Sequence, residues 1–84
     1  MAYSLSFAKG VLKDLEEINE PFYAKIKAAI YALEENPRPY GYKKLKGRDG
    51  YRIRVGDYLV IYDIFDAILI VAVIEVGNRR DVYD

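Results

Sequence analysis

Apolar residues change their spacing along this chain, and each change marks an element. Tyr3, Leu5 and Phe7 alternate with small or polar residues, which predicts a short half-buried strand. Val11, Leu12, Leu15 and Ile18 then recur at helical spacing, with Lys13, Asp14, Glu16 and Glu17 opposite them. Asn19-Glu20-Pro21 predicts a stop and a restart: Asn19 or Glu20 can cap, and proline suits the first turn of a new helix. Phe22, Ile26, Ala29, Ile30 and Leu33 stand at i, i+4, i+7, i+8 and i+11, the stripe of an amphipathic helix. Asn36-Pro37 ends it, because a residue before proline is pushed out of the helical region. Two antiparallel helices joined by a tight turn are expected.

Residues 37–50 read as a loop rich in Pro, Gly, Tyr and Lys. Loops of that length without structure of their own tend to be functional. Three strands follow, over roughly 51–55, 58–65 and 68–76, with Gly56-Asp57 as a two-residue hairpin turn and a second turn near Asp66-Ala67. The order β-α-α-β-β-β predicts a two-layer α+β domain spanning 1–84, an antiparallel sheet with a helical hairpin packed on one face. With Gly56 and Asp57 in the turn, Val55 pairs with Tyr58, Arg54 with Leu59, Ile53 with Val60 and Arg52 with Ile61. Period-2 alternation then puts Tyr51, Ile53, Val55, Tyr58, Val60 and Tyr62 on the helix-packed face. Arg52, Arg54, Leu59 and Ile61 share the other, giving an open face that is cationic with apolar neighbours.

Composition narrows the chemistry. A chain of 84 residues makes one small domain, near the lower limit for a single unstapled core. With no cysteine, disulfides and thiolate metal sites are excluded. An apolar content of 52% with nine tyrosines argues against disorder. Zero formal net charge argues against indiscriminate nucleic-acid binding, but the charges are not evenly spread. Seven basic residues (Arg38, Lys43, Lys44, Lys46, Arg48, Arg52 and Arg54) fall between 38 and 54 against one acid, Asp49. Residues 1–7 lack the basic start and apolar core of a signal peptide. The apolar run from Ile68 to Ile74 is far shorter than the ~20 residues of a membrane span, so no membrane contact and a cytoplasmic location are expected.

Arginine stays charged in proteins and presents a donor fork matched to phosphate oxygens. Arg52 and Arg54, with Arg79 or Arg80 arriving from the end of the last strand, can clamp one phosphodiester. Tyr83 can act as acid or base only where nearby positive charge lowers its pKa from about 10. Ordinary solvated basic residues on an exposed sheet face are the plain alternative. Lys43, Lys44 and Lys46 suit contacts to phosphate, with Tyr40 and Tyr42 as stacking platforms, although mobile loop lysines and core-edge tyrosines explain the same pattern. Glu16-Glu17 and Glu34-Glu35 read as helix surface, and Gly47 with Gly50 as a turn signal. No metal or cofactor is expected.

These residues resemble the RelE/ParE superfamily of bacterial and archaeal toxins, on its RelE-like branch. The likeness runs through Leu12-Lys13-Asp14-Leu15, Glu35-Asn36-Pro37-Arg38-Pro39 and Lys44-Leu45-Lys46-Gly47. It is most specific in Tyr51-Arg52-Ile53-Arg54-Val55-Gly56-Asp57-Tyr58 and Gly77-Asn78-Arg79-Arg80-Asp81-Val82-Tyr83. The resemblance implies a toxin that is held by a cognate antitoxin, enters the ribosomal A site and cuts mRNA there by metal-independent transesterification. It implies that Arg52 and Arg54 take part in proton transfer and phosphate binding, that Arg79 stabilises developing charge, and that Tyr83 orients or activates the nucleophile region. Lys43, Lys44, Lys46, Arg48 and Arg80 fall to RNA or ribosome contact. The toxin alone is expected to be a monomer. One departure stands out: relatives usually read Gly-Asp-Tyr-Arg-Ile-Ile-Tyr where this chain has Gly56-Asp57-Tyr58-Leu59-Val60-Ile61-Tyr62. Leu59 removes an arginine that would sit beside Arg54, so reduced activity is expected, either of a natural variant or of a deliberately attenuated form of a toxic protein. A catalytically inactive module that binds an antitoxin, with Leu59 and Ile61 helping to bury the antitoxin segment, and a ParE-like inhibitor of DNA gyrase are the alternatives.

Overall fold

Glycine at position 56 lets the chain reverse in two residues. It sits at φ 60°, in the left-handed region, and Phe22 approaches so closely that an added Cβ would lie 2.6 Å from the ring. The structure, a computed structural model, describes residues 2–82. Its elements are β1 (Ser4–Phe7), α1 (Val11–Glu16), α2 (Phe22–Ala32), β2 (Lys43–Lys44), β3 (Tyr51–Val55), β4 (Tyr58–Phe65) and β5 (Ile70–Asn78). They form one five-stranded sheet in the order β1-β5-β4-β3-β2.

The β3–β4 register is the expected one, from Val55 with Tyr58 to Tyr51 with Tyr62. The sheet is antiparallel except at one edge, where β1 runs parallel to β5, pairing Ser4 with Ile70 through to Phe7 with Val73. Alternation in a four-residue strand sets which side faces the core but not its direction. The presumed loop 37–50 also contributes a strand: Lys43 pairs with Arg52 and Lys44 with Tyr51. The second turn is longer than expected. Residues 66–69 turn the chain, so β5 begins at Ile70 and Ile68 is left exposed. A bulge follows, with Ile61 opposite Glu75 but Tyr62 opposite Val73. The extra residue, Ile74, is exposed, and Val73 and Val76 both join the helix-side core although they lie three apart.

Helix α1 lies over β5, and α2 over β3 and β4. The stripes predicted for the helices supply Val11, Leu15, Ile26, Ile30 and Leu33 to the core. Leu12 does not follow its stripe and is exposed. Glu20 Oε1 accepts a hydrogen bond from the Ala24 amide at 3.0 Å, which ties the turn between the helices to the start of α2. Tyr62 is fully buried, and its hydroxyl donates to the Pro37 carbonyl at 2.7 Å. Burial pushes its pKa up.

Arg38 belongs to a clasp rather than to the basic face. Its guanidinium donates to both Asp66 oxygens, at 2.9 and 3.3 Å, and the Tyr3 hydroxyl donates to Asp66 Oδ1 at 2.6 Å. The clasp joins the start of β1, the segment after α2 and the β4–β5 turn. The Arg38 hydrogen bonds, then that from Tyr3, hold the Asp66 carboxyl below its usual range. A depressed carboxyl contributes stability above its unfolded pKa, about 3.9, and loses it as pH falls through the folded value. Asp66→Asn is therefore expected to lower Tm at pH 7, with the gap closing as pH falls below about 3.9 and through the folded pKa. A gap independent of pH would mean that the carboxylate charge contributes nothing. Gly56→Ala is expected to cost on the order of 1–3 kcal/mol in a denaturant titration, from positive φ and the Phe22 contact together.

Candidate functional site

Away from the helices, the hairpin turn bonds the Arg54 side chain and the Arg79 backbone. Arg54 Nε donates to the Gly56 carbonyl at 2.8 Å, and its Nη2 lies 4.0 Å from Asp57 Oδ1. Both side chains are largely exposed, so this ion pair is weak and leaves the guanidinium able to take an anion. From the other side, the backbone N–H of Arg79 donates to the Asp57 carbonyl at 2.8 Å. One turn thus holds the end of β3 and the residue that follows β5. Arg52 lies two positions before Arg54 on the same face, roughly 7 Å along the strand.

Asn78 bends the chain back over the sheet. Its side-chain oxygen accepts from the Arg80 amide at 3.0 Å, and its carbonyl accepts from Asp81 at 2.8 Å and Val82 at 3.1 Å. Val82 comes down on Gly77, where a Cβ would stand 2.9 Å from Val82 Cγ2. It completes a second apolar cluster with Leu45, Leu59 and Ile61. Leu59 is 5% exposed and Val82 3%. This corrects the expectation that Leu59 and Ile61 are open-face residues available to bury a partner: the chain's own loop and its C-terminal turn already cover them. The sign of it in sequence was faint. Leu45 and Val82 are lone apolar residues, one between two lysines and the other following an aspartate.

The remaining site residues divide. Pairing puts Lys43 beside Arg52 on the arginine face, while Lys44, opposite Tyr51, takes the other face. Lys46 and Arg48 are exposed in the segment that Leu45 anchors, and Arg79 and Arg80 are exposed in the final turn. Tyr83 lies outside the described residues. Of the two tyrosines considered for stacking, Tyr42 packs against Tyr51 at the edge of the main core, with centroids 5.9 Å apart, whereas Tyr40 is fully exposed. Register also places Glu75 and Asp63 on the arginine face, opposite Ile61 and Ala72, so the face is cationic near the hairpin and acidic toward its far end. Among the described residues no group of three or more potential metal-ligating side chains converges. Exposed guanidiniums on one face and in the adjoining turn are donors of the kind that match phosphate oxygens.

A family model described as the ParE toxin of type II toxin–antitoxin systems, parDE, matches residues 5–83. The chain belongs to the RelE/ParE superfamily of toxins, on its RelE-like branch. The mRNA interferase toxin RelE of Escherichia coli K12 is 32% identical over 83 residues, which cover 95% of this chain and 86% of that protein. A Methanocaldococcus jannaschii chain, named as the candidate toxin RelE1, is 32% identical over 87 residues, covering 99% and 97%. RelE from the RelE–RelB complex of Pyrococcus horikoshii OT3 superposes with a TM-score of 0.82 at 28% identity, over 98% of this chain and 100% of that one.

The second cluster generates a stability prediction for this toxin-family chain. Leu59→Ala is expected to destabilise by about 2–5 kcal/mol and to speed amide exchange at 79–82, because Val82 loses its seat. Stability and exchange both unchanged would show that the cluster is not packed in solution.

Proposed function

We propose that this chain is the toxin of a type II toxin–antitoxin pair and cleaves mRNA in the ribosomal A site. The observation that carries the reading is that one turn, Gly56–Asp57, bonds both the Arg54 side chain and the Arg79 backbone, which brings the end of β3 and the residue after β5 together. The names of the relatives support it: one is an mRNA interferase, and another was solved together with RelB. The partners are then a cognate antitoxin, the ribosome and its message, the toxin alone is a monomer, and the setting is the cytoplasm. In the reaction the RNA 2′-hydroxyl loses its proton and bonds to the adjacent phosphorus. The bond from phosphorus to the 5′-oxygen breaks, leaving a 2′,3′-cyclic phosphate and a 5′-hydroxyl that takes up a proton. Arg52 and Arg54 hold the phosphate, and Arg79 offsets the charge that builds on it. Permanently charged arginines serve poorly as bases, so their work is electrostatic. Lys43, Lys44, Lys46, Arg48 and Arg80 contact the RNA or ribosome backbone, and Tyr83 orients the nucleophile region.

Leu59 sets activity against stability. An arginine there adds a stabiliser of the kind whose loss costs on the order of 10²–10³ in rate, but it replaces an apolar side chain seated against Val82. Primer extension on mRNA-programmed ribosomes is the test. Cleavage by the wild-type chain, further reduced by Arg79→Ala, is expected, and Leu59→Arg is expected to cut faster while melting at a lower temperature. An intact message with both the wild-type and Leu59→Arg chains would sink the reading. The ParE description of the matching family favours gyrase inhibition as the second reading, and a supercoiling assay on the same preparations separates the two.

A further inference from the structure

A groove of about 220 Å³ opens at the outer edge of β3, behind the arginine face. Ala29 and Ala32 of α2 form one wall, Val55 another, and Pro39 and Tyr40 the rim. Strand β2 pairs with Tyr51 and Arg52, so among the described residues the edge of β3 beside this groove has no strand against it. Arg54 lines the groove and also belongs to the arginine face, which makes it the link between the two. Tyr40 stands at the rim with its ring fully exposed. The groove is smaller than the 300–1,000 Å³ of a drug-sized pocket. It is shallow, walled by small apolar side chains, and bordered by one aromatic ring and one guanidinium.

We propose that this groove is a nucleobase subsite, in which one base of a single-stranded RNA stacks on Tyr40 while its phosphate contacts Arg54. Alanines at positions 29 and 32 leave room for a flat ring to approach the helix, which longer side chains would fill. The ring gives a platform that every base can use, and the shared arginine gives the strand its polarity. Charge selects the occupant: Arg54 lines the groove, and Lys43 and Arg52 follow on the adjoining arginine face, complementary to a polyanion. The strand would then run from the phosphate clamp at the Gly56–Asp57 turn outward over β3, so the subsite sets position for bases flanking the cut. The proposal rests on the RNA-directed reading above, and it makes Tyr40 a binding residue rather than a catalytic one.

The probe is a fluorescein-labelled 2′-O-methyl hexaadenylate, which cannot be cleaved, titrated with the intact chain and followed by anisotropy. Tyr40 makes no packing contact that its removal would disturb, so the fold should survive substitution, and a matching Tm checks this. Tyr40→Ala is expected to weaken binding about 5- to 100-fold, the range set by one base–aromatic stack. Tyr40→Trp should bind as tightly as the wild type, and Tyr40→Leu as weakly as Tyr40→Ala. An abasic site at the stacked position should remove the Tyr40→Ala effect. No binding by the wild-type chain, an unchanged affinity for Tyr40→Ala, or full rescue by leucine would each overturn the subsite. The second of these would leave the free edge of β3 as a seat for an extended peptide. Ribosome cleavage separates this proposal from the one beneath it: normal cutting with KM and kcat unmoved in Tyr40→Ala ends the subsite alone, whereas Tyr40-dependent binding without cutting ends the nuclease reading alone.

Discussion

The register of one tight hairpin governs the rest of this molecule. Because side chains alternate across a strand, a one-residue slip of β3 against β4 would turn Arg52 and Arg54 onto the helix-packed face in place of Ile53, and a slip of β4 would turn Leu59 and Ile61 there in place of Val60 and Tyr62. The two-residue turn at Gly56-Asp57 prevents that slip, and it is fixed from three directions. Phe22 packs on Gly56 from the helix layer, Arg54 donates to the Gly56 carbonyl, and the Arg79 amide donates to the Asp57 carbonyl. A loop that sets the core alignment therefore also anchors the Arg54 side chain and the Arg79 backbone. Stability and the geometry of the site share one device.

The sheet carries apolar clusters on both faces, although helices cover only one. On the helix side, α1 and α2 bury the main core. On the other, Leu45 and Val82 each reach in from a polar segment and seat on Leu59 and Ile61. For a domain of 84 residues this second cluster adds buried apolar area without a third layer of secondary structure. It also fixes the segments that bear Lys46, Arg48, Arg79 and Arg80, so the basic residues surround a dry floor instead of standing on an open sheet. Leu59 gains meaning in this setting: it gives Val82 a contact that holds the C-terminal turn. Tyr40 and the groove beside Arg54 lie at the outer edge of β3, around the sheet from the arginine face rather than across it.

The sequence by itself determined the local elements and one pairing. Strands 51–55 and 58–65 were legible because turn residues bound them and apolar residues alternate within them, and the second helix because its stripe runs unbroken to Leu33, although the helix closes at Ala32, ahead of the expected stop at Asn36-Pro37. The arginines at 52 and 54 could be assigned to one face from period alone, since that inference needs only the turn between their strand and the next. Tertiary structure decided everything that depends on contacts distant in sequence. Four residues of β1 carry no mark of a parallel partner some 66 positions later, and two lysines do not read as a strand until Tyr51 and Arg52 pair with them. The bulge at Ile74 breaks the alternation by one residue, which no local pattern encodes. Arg38 counted with the basic stripe until Asp66, 28 residues away, claimed it. Leu59 looked exposed because Leu45 and Val82, the side chains that bury it, are isolated apolar residues whose partners only the folded chain supplies. Local periodicity reports which side of an element is apolar; what comes to cover that side is a matter of long-range packing.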